Sequence, residues 1–123
     1  MTGKREGSTG RILIVEDEMM VSMLLEDFLE ELGYSPVGPA TALEKAVAMA
    51  REAEIDAAIL DVNLNGLDTY PVAEILRERG IPFAFATGYG GNAIIEDFRN
   101  TPVLSKPFQL GDLDRAVSEV LRQ

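Results

Sequence analysis

The sequence predicts an α/β fold: a doubly wound, five-stranded parallel sheet with helices on both faces. Three observations predict it. From Arg11 onward, short apolar runs alternate with amphipathic stretches. The runs are continuously apolar, as strands covered on both faces are. Five such runs alternate with five helical stretches, which favours right-handed crossovers and a parallel sheet. At this length the natural strand order is 2-1-3-4-5, the flavodoxin-like order.

Residues 1–10 (MTGKREGSTG) lack an apolar anchor and read as a flexible N-terminal tail, leaving residues 11–123 as one domain. Ile12-Leu13-Ile14-Val15 is the first strand. Val21, Leu24, Leu25, Phe28 and Leu32 follow at helical spacing, with Gly33 as the stop. A short strand around Tyr34–Val37 is expected to end at Gly38-Pro39. Thr41 and Glu44 have the spacing of a capping box for a second helix, whose buried stripe is Leu43, Ala46, Val47 and Ala50. Ala57–Leu60 is the third strand, and Asp61–Asp68 a loop turning at Asn65-Gly66. Pro71 lies in the first turn of the third helix, with Val72, Ile75 and Leu76 inward and Gly80 closing it. Phe83–Ala86 is the fourth strand. A short helix carries Ile94, Ile95 and Phe98, and a fifth strand begins at Val103-Leu104. The last helix shows Leu110, Leu113, Val117, Val120 and Leu121 on one face.

Composition narrows the chemistry. With 46% hydrophobic residues the chain can build a core, yet no apolar run approaches a membrane span. The N-terminus carries Lys4 and Arg5 but no apolar segment of a secretory signal. There is no cysteine, which removes disulfides and thiolate chemistry and suits a reducing, cytoplasmic compartment. There is no histidine either, so serine triads and histidine bases are excluded. Eleven basic against 21 acidic residues give a formal charge of −10. Such a chain is repelled by nucleic acid and anionic membrane and suits hard divalent cations.

In an open parallel sheet, ligands bind outside the carboxyl ends of the strands. The predicted ends carry Glu16-Asp17-Glu18, Asp61, Thr87-Gly88 and Ser105-Lys106-Pro107. Carboxylates of Asp17 and Asp61 can share a Mg²⁺, and Asp61 can act as a nucleophile toward a phosphoryl donor. Lys106 and the Thr87 hydroxyl would meet the phosphoryl oxygens, and Gly88 leaves room for them. Each piece also has a plain structural reading. The acidic triplet could cap a helix, Asp61 could form a turn, and Lys106 could be a loop lysine. Their coincidence at neighbouring strand ends favours a site.

Ile12–Glu18 (ILIVEDE), Ala57–Asn63 (AAILDVN) with Gly66, Phe85–Gly88 (FATG) and Leu104–Phe108 (LSKPF) together resemble the receiver domain of two-component response regulators. Order and spacing match from Arg11 to Leu121. The resemblance implies that Asp61 is the phosphoacceptor and Asp17 a direct Mg²⁺ ligand, with Glu16 reaching the metal through water. It implies that Asn63 offers a backbone carbonyl to the metal, that Thr87 is the switch hydroxyl, and that Lys106, before a cis Pro107, binds phosphate. The implied donor is a sensor histidine kinase or a histidine phosphotransfer protein, which supplies the histidine absent here. The implied product is a signalling switch that catalyses only its own phosphorylation and dephosphorylation.

One position departs from the pattern: Val103 stands where receivers often carry a switch aromatic. Tyr89, after FATG, either takes that role or is an ordinary surface aromatic. The FATG-Tyr stretch resembles a subgroup of stand-alone receivers. With only Arg122 and Gln123 after Leu121, the expectation is a stand-alone receiver or a piece of a longer chain. Two rivals are an aspartate-nucleophile, Mg²⁺-dependent phosphatase and a receiver-like interaction module that needs no phosphorylation. Against the phosphatase, Asp61 follows the third strand rather than the first, and its second neighbour is Asn63 rather than a second Asp. No glycine-rich loop after the first strand supports nucleotide binding.

Overall fold

The computed structural model describes residues 10–88 and 94–122. In chain order these form β1 (Arg11–Val15), α1 (Met19–Glu31), β2 (Ser35–Ala40), α2 (Leu43–Glu52), β3 (Ala57–Asp61), β4 (Asn63–Leu64), β5 (Leu67–Asp68), α3 (Tyr70–Arg79), β6 (Phe83–Thr87), β7 (Val103–Ser105) and α4 (Leu110–Leu121). A 3₁₀ turn, Glu96–Phe98, lies between β6 and β7.

Five strands form the main sheet in the order β2-β1-β3-β6-β7, and every pairing is parallel. This is the expected flavodoxin-like order, with β6 and β7 as the fourth and fifth strands. The numbering shifts because β4 and β5 make a separate antiparallel hairpin inside the loop after Asp61.

Side-chain alternation divides the core. Leu13, Val15, Ala58, Leu60, Phe83 and Phe85 face α2 and α3 and pack with Ala46, Ala50, Val72 and Leu76. Ile12, Ile14, Ala57, Ile59, Ala84 and Ala86 face α1 and α4 and pack with Leu25, Leu29, Leu113 and Val117. In Ile12–Val15, Ala57–Leu60 and Phe83–Ala86 consecutive residues therefore all leave water, which is why these strands read as unbroken apolar runs.

Four expectations change in detail. β2 continues through Gly38-Pro39 to Ala40. It is an edge strand paired only with β1, so a proline without an N–H is tolerated there. The ladder shifts register between Leu13 and Val15 to accommodate it. Gly38 has φ +99°, and a Cβ there would lie 2.9 Å from the Ala40 nitrogen. Thr41 does not cap α2: the N-cap is Ala42 and no side-chain cap bond forms. The helix starts one residue later than the Thr41–Glu44 spacing implies. Leu24 is 39% exposed, whereas Leu29 is buried, so the inward stripe of α1 is rotated from the expected one. Of the helix expected around Ile94, Ile95 and Phe98, the described residues contain only the 3₁₀ turn. Tyr89, Gly90 and Gly91 lie outside the described residues.

Candidate functional site

The parallel sheet gathers the predicted residues at its carboxyl edge. Glu16 and Asp17 follow β1, Asp61 is the last residue of β3, Thr87 the last of β6, and Lys106 follows β7. β1 neighbours β3, β3 neighbours β6, and β6 neighbours β7, so strand adjacency alone brings the ends together. Backbone bonds extend the ladders into the site: Val62 N–H donates to Ala86 carbonyl at 3.3 Å, and Lys106 N–H to Thr87 carbonyl at 2.9 Å. Asp17, Asp61, Asn63, Thr87, Gly88 and Lys106 line one cleft.

The charged centre is a buried triad. Lys106 Nζ lies 3.0 Å from Glu16 Oε1 and 3.3 Å from Asp61 Oδ2. The Glu16 side chain is 1% exposed, Asp61 13% and Lys106 18%. Burial pushes the Glu16 carboxyl from 4.5 up to about 7, with the Asp61 charge adding to the rise and Lys106 opposing it. Burial works against the Lys106 ammonium. Its close pairing with Glu16 and the charges of Asp61 and Glu16 outweigh that, and its pKa rises.

This edge suits a divalent cation. Ligating oxygens of Glu16, Asp17 and Asp61 all lie within 4.8 Å of one another. Glu16 Oε1 is buried and close to Lys106, but the angle leaves it without a directed hydrogen bond. An all-oxygen, net negative set of this kind fits a hard cation such as Mg²⁺. Glu18, the last acid of the triplet, stands at the N-cap of α1 without a side-chain cap bond, whereas Glu16 and Asp17 belong to the acidic cluster with Asp61.

The surrounding loop contains residues that spacing alone did not single out. Thr69 is fully buried. Its hydroxyl donates to the Asp61 carbonyl at 2.6 Å and approaches the Val62 carbonyl at 3.3 Å. A threonine before Tyr-Pro reads locally as a helix cap, but its side chain turns to the β3 end instead. Asn65, expected only as a turn residue, sits at φ 52° and donates its backbone N–H to Asp17 Oδ2 at 3.0 Å. Its side-chain amide donates to the Thr41 carbonyl at 3.3 Å. The Asn63 side-chain carbonyl accepts the Gly66 N–H at 2.9 Å, which commits that side chain to the hairpin. The Lys106–Pro107 peptide is cis, as expected.

Comparison with known proteins agrees with this geometry. The family model of the response regulator receiver domain matches residues 12–118. The chain is 33% identical over 113 residues to the transcriptional regulatory protein PdtaR of Mycobacterium tuberculosis, covering 87% of this chain and 54% of PdtaR. The chain spans about half the length of the curated relatives it matches. The solution structure of SdrG from Sphingomonas melonis Fr1 superposes with a TM-score of 0.82 at 48% identity, covering 90% of this chain and 95% of SdrG. The receiver domain of the sensor histidine kinase PA1611 from Pseudomonas aeruginosa superposes with a TM-score of 0.75 at 26% identity, covering 93% and 98%. That structure holds a magnesium ion in its active-site cleft.

Proposed function

Because this chain belongs to the response regulator receiver domain family, we propose that it is a phosphorylation-dependent switch in which Asp61 accepts a phosphoryl group. The observation that carries the reading is the position of Lys106, 3.3 Å from Asp61 Oδ2, beside three acids whose oxygens cluster within 4.8 Å. A lysine held against a nucleophilic carboxylate next to a cation site is the charge arrangement that phosphoryl transfer needs.

Glu16, Asp17, Asp61 and the backbone carbonyl of Asn63 would hold Mg²⁺. Bound there, the ion offsets the charge of the transferred phosphoryl oxygens. An Asp61 carboxylate oxygen forms the new P–O bond, and the P–N bond of a donor phosphohistidine breaks. The freed imidazole leaves as the neutral base after taking up a proton. Lys106 balances charge on one side of the phosphoryl group, and the Thr87 hydroxyl donates a hydrogen bond to another of its oxygens. The donor is a sensor histidine kinase or a histidine phosphotransfer protein, and the output is altered affinity for a protein target. The shift needs only a few kcal/mol of differential binding between two conformations.

The reading places the chain in the cytoplasm, with neither nucleic acid nor membrane as its ligand. Among the described residues no helix is long and apolar enough to cross a membrane. Asn63, two residues beyond the nucleophile, has no proton to give as a general acid. That absence favours a switch over a phosphatase, so the domain catalyses only the gain and loss of its own phosphoryl group.

The test is labelling by acetyl phosphate. Mg²⁺-dependent labelling is expected in the parent and abolished in Asp61→Ala. Labelling of parental extent in Asp61→Ala would remove Asp61 from the role.

A further inference from the structure

Tyr70 opens α3 immediately after the threonine that holds Asp61. Its ring lies parallel to Phe98 at 5.6 Å between centroids, with an interplanar angle of 3°. It meets Phe85 edge-on at 5.7 Å and 78°. Its hydroxyl accepts the backbone N–H of Ile95 at 3.0 Å. Tyr70 also lines the cleft that holds Asp61, Thr87 and Lys106. One side chain therefore borders the site and bonds at its tip to the backbone of the segment 94–98.

The base of this connection is stiff. The Thr69 hydroxyl ties residue 69 to the Asp61 and Val62 carbonyls, and the Asp68 carboxylate accepts the Tyr70 N–H at 3.1 Å. A tyrosine has two side-chain torsions, and stacking on Phe98 with an edge contact to Phe85 restrains both. A displacement of the loop after Asp61 therefore moves the ring as a lever. The ring has few ways to absorb that movement without changing its bond to Ile95. Ile95, Glu96 and Asp97 are exposed, so a change there reaches the surface.

We propose that Tyr70 is a relay that couples the state of the Asp61 cleft to the segment 94–98. It is a positioning residue and makes no contact with the transferred group. The proposal rests on the reading of Asp61 as phosphoacceptor and concerns how that event leaves the site.

The experiment follows backbone amide shifts of the full chain in Mg²⁺, with and without beryllofluoride as the phosphoryl mimic. Parent, Tyr70→Phe and Phe98→Leu are compared. Tyr70→Phe keeps the stacked ring and deletes only the hydroxyl, so folding is retained. In the parent, beryllofluoride shifts the Val62 and Asn63 amides beside Asp61 and also the Ile95 amide. In Tyr70→Phe the Val62 and Asn63 responses persist and the Ile95 response is lost. In Phe98→Leu, which loosens the stack, the Ile95 response is weakened. An Ile95 response of parental size in Tyr70→Phe overturns the relay. Loss of the Val62 and Asn63 responses in Tyr70→Phe also overturns it, because Tyr70 would then be needed to form the site itself. Absence of any response at Val62 and Asn63 in the parent is a different failure, that of the phosphoacceptor reading.

Discussion

Thr69 donates its hydroxyl hydrogen to the carbonyl of Asp61, eight residues back in the chain, at 2.6 Å. The hydroxyl is fully buried, and it closes the loop containing the β4–β5 hairpin. The residue that carries the candidate nucleophile is thus held by its backbone, which leaves its carboxylate for chemistry.

Thr69→Val keeps the side chain's shape and removes this donor. The Asp61 carbonyl then loses this donor, at a cost of about 1–3 kcal/mol if it is left unsatisfied, while the Val62 carbonyl keeps the Thr69 backbone N–H. Urea denaturation should show the lower midpoint. Labelling of Asp61 by acetyl phosphate should slow as well, while Thr69→Ser restores the rate. Equal labelling rates in parent and Thr69→Val would confine Thr69 to a stabilising role.

Burial of Glu16 makes stability depend on pH. Its folded pKa is raised from 4.5 to about 7, so the folded chain holds a proton that the unfolded chain releases in that window. The group's contribution is full below about 4.5 and is lost as pH rises through about 7. Denaturation of the metal-free chain in EDTA should therefore show a loss of stability across this range. Glu16→Gln should flatten that slope, since a glutamine does not titrate. A slope unchanged in Glu16→Gln would assign it to other groups.

Magnesium should stabilise the fold, because the three clustered carboxylates repel one another until a cation joins them. Saturation to a hundred times the dissociation constant adds about 2.7 kcal/mol. Thermal melts with Mg²⁺ and then EDTA measure the gain and its reversal. Asp17→Asn should lose most of it. A melting point insensitive to Mg²⁺ in the parent would leave the acidic cluster without a cation.

Lys106→Ala should still bind Mg²⁺, since the three acids remain. It should lose the response to beryllofluoride, because the ammonium proposed to meet the phosphoryl oxygens is gone. Backbone amide spectra compare the two chains. Identical beryllofluoride-induced changes would show that Lys106 takes no part in the switch.

Much of the fold is legible in the order of residues alone. Unbroken apolar runs such as Ile12–Val15 and Ala57–Leu60 read as strands buried on both faces, because sheet packing removes every residue of such a strand from water. Pro71 at the start and Gly80 at the end of α3 mark its limits through backbone geometry that those residue types adopt most readily. The edges are less legible. Pro39 reads as a strand end, and only its place on the open side of an edge strand lets β2 run on to Ala40. Thr41 has the spacing of a cap, yet the chain enters α2 one residue later.

The candidate site divides along the same line. By itself the sequence determined which residue types lie at strand ends, because hydrophobic patterning is local. It therefore named Glu16, Asp17, Asp61, Thr87 and Lys106. Tertiary structure alone decided that Lys106 lies between Glu16 and Asp61, that the Asn65 backbone reaches Asp17, and that Thr69 and Tyr70 link Asp61 to Ile95. Apart from the Thr69–Asp61 bond, which closes a loop, these are contacts between segments far apart in the chain. Their distances are set by how strands stack and loops close, and no local pattern encodes them.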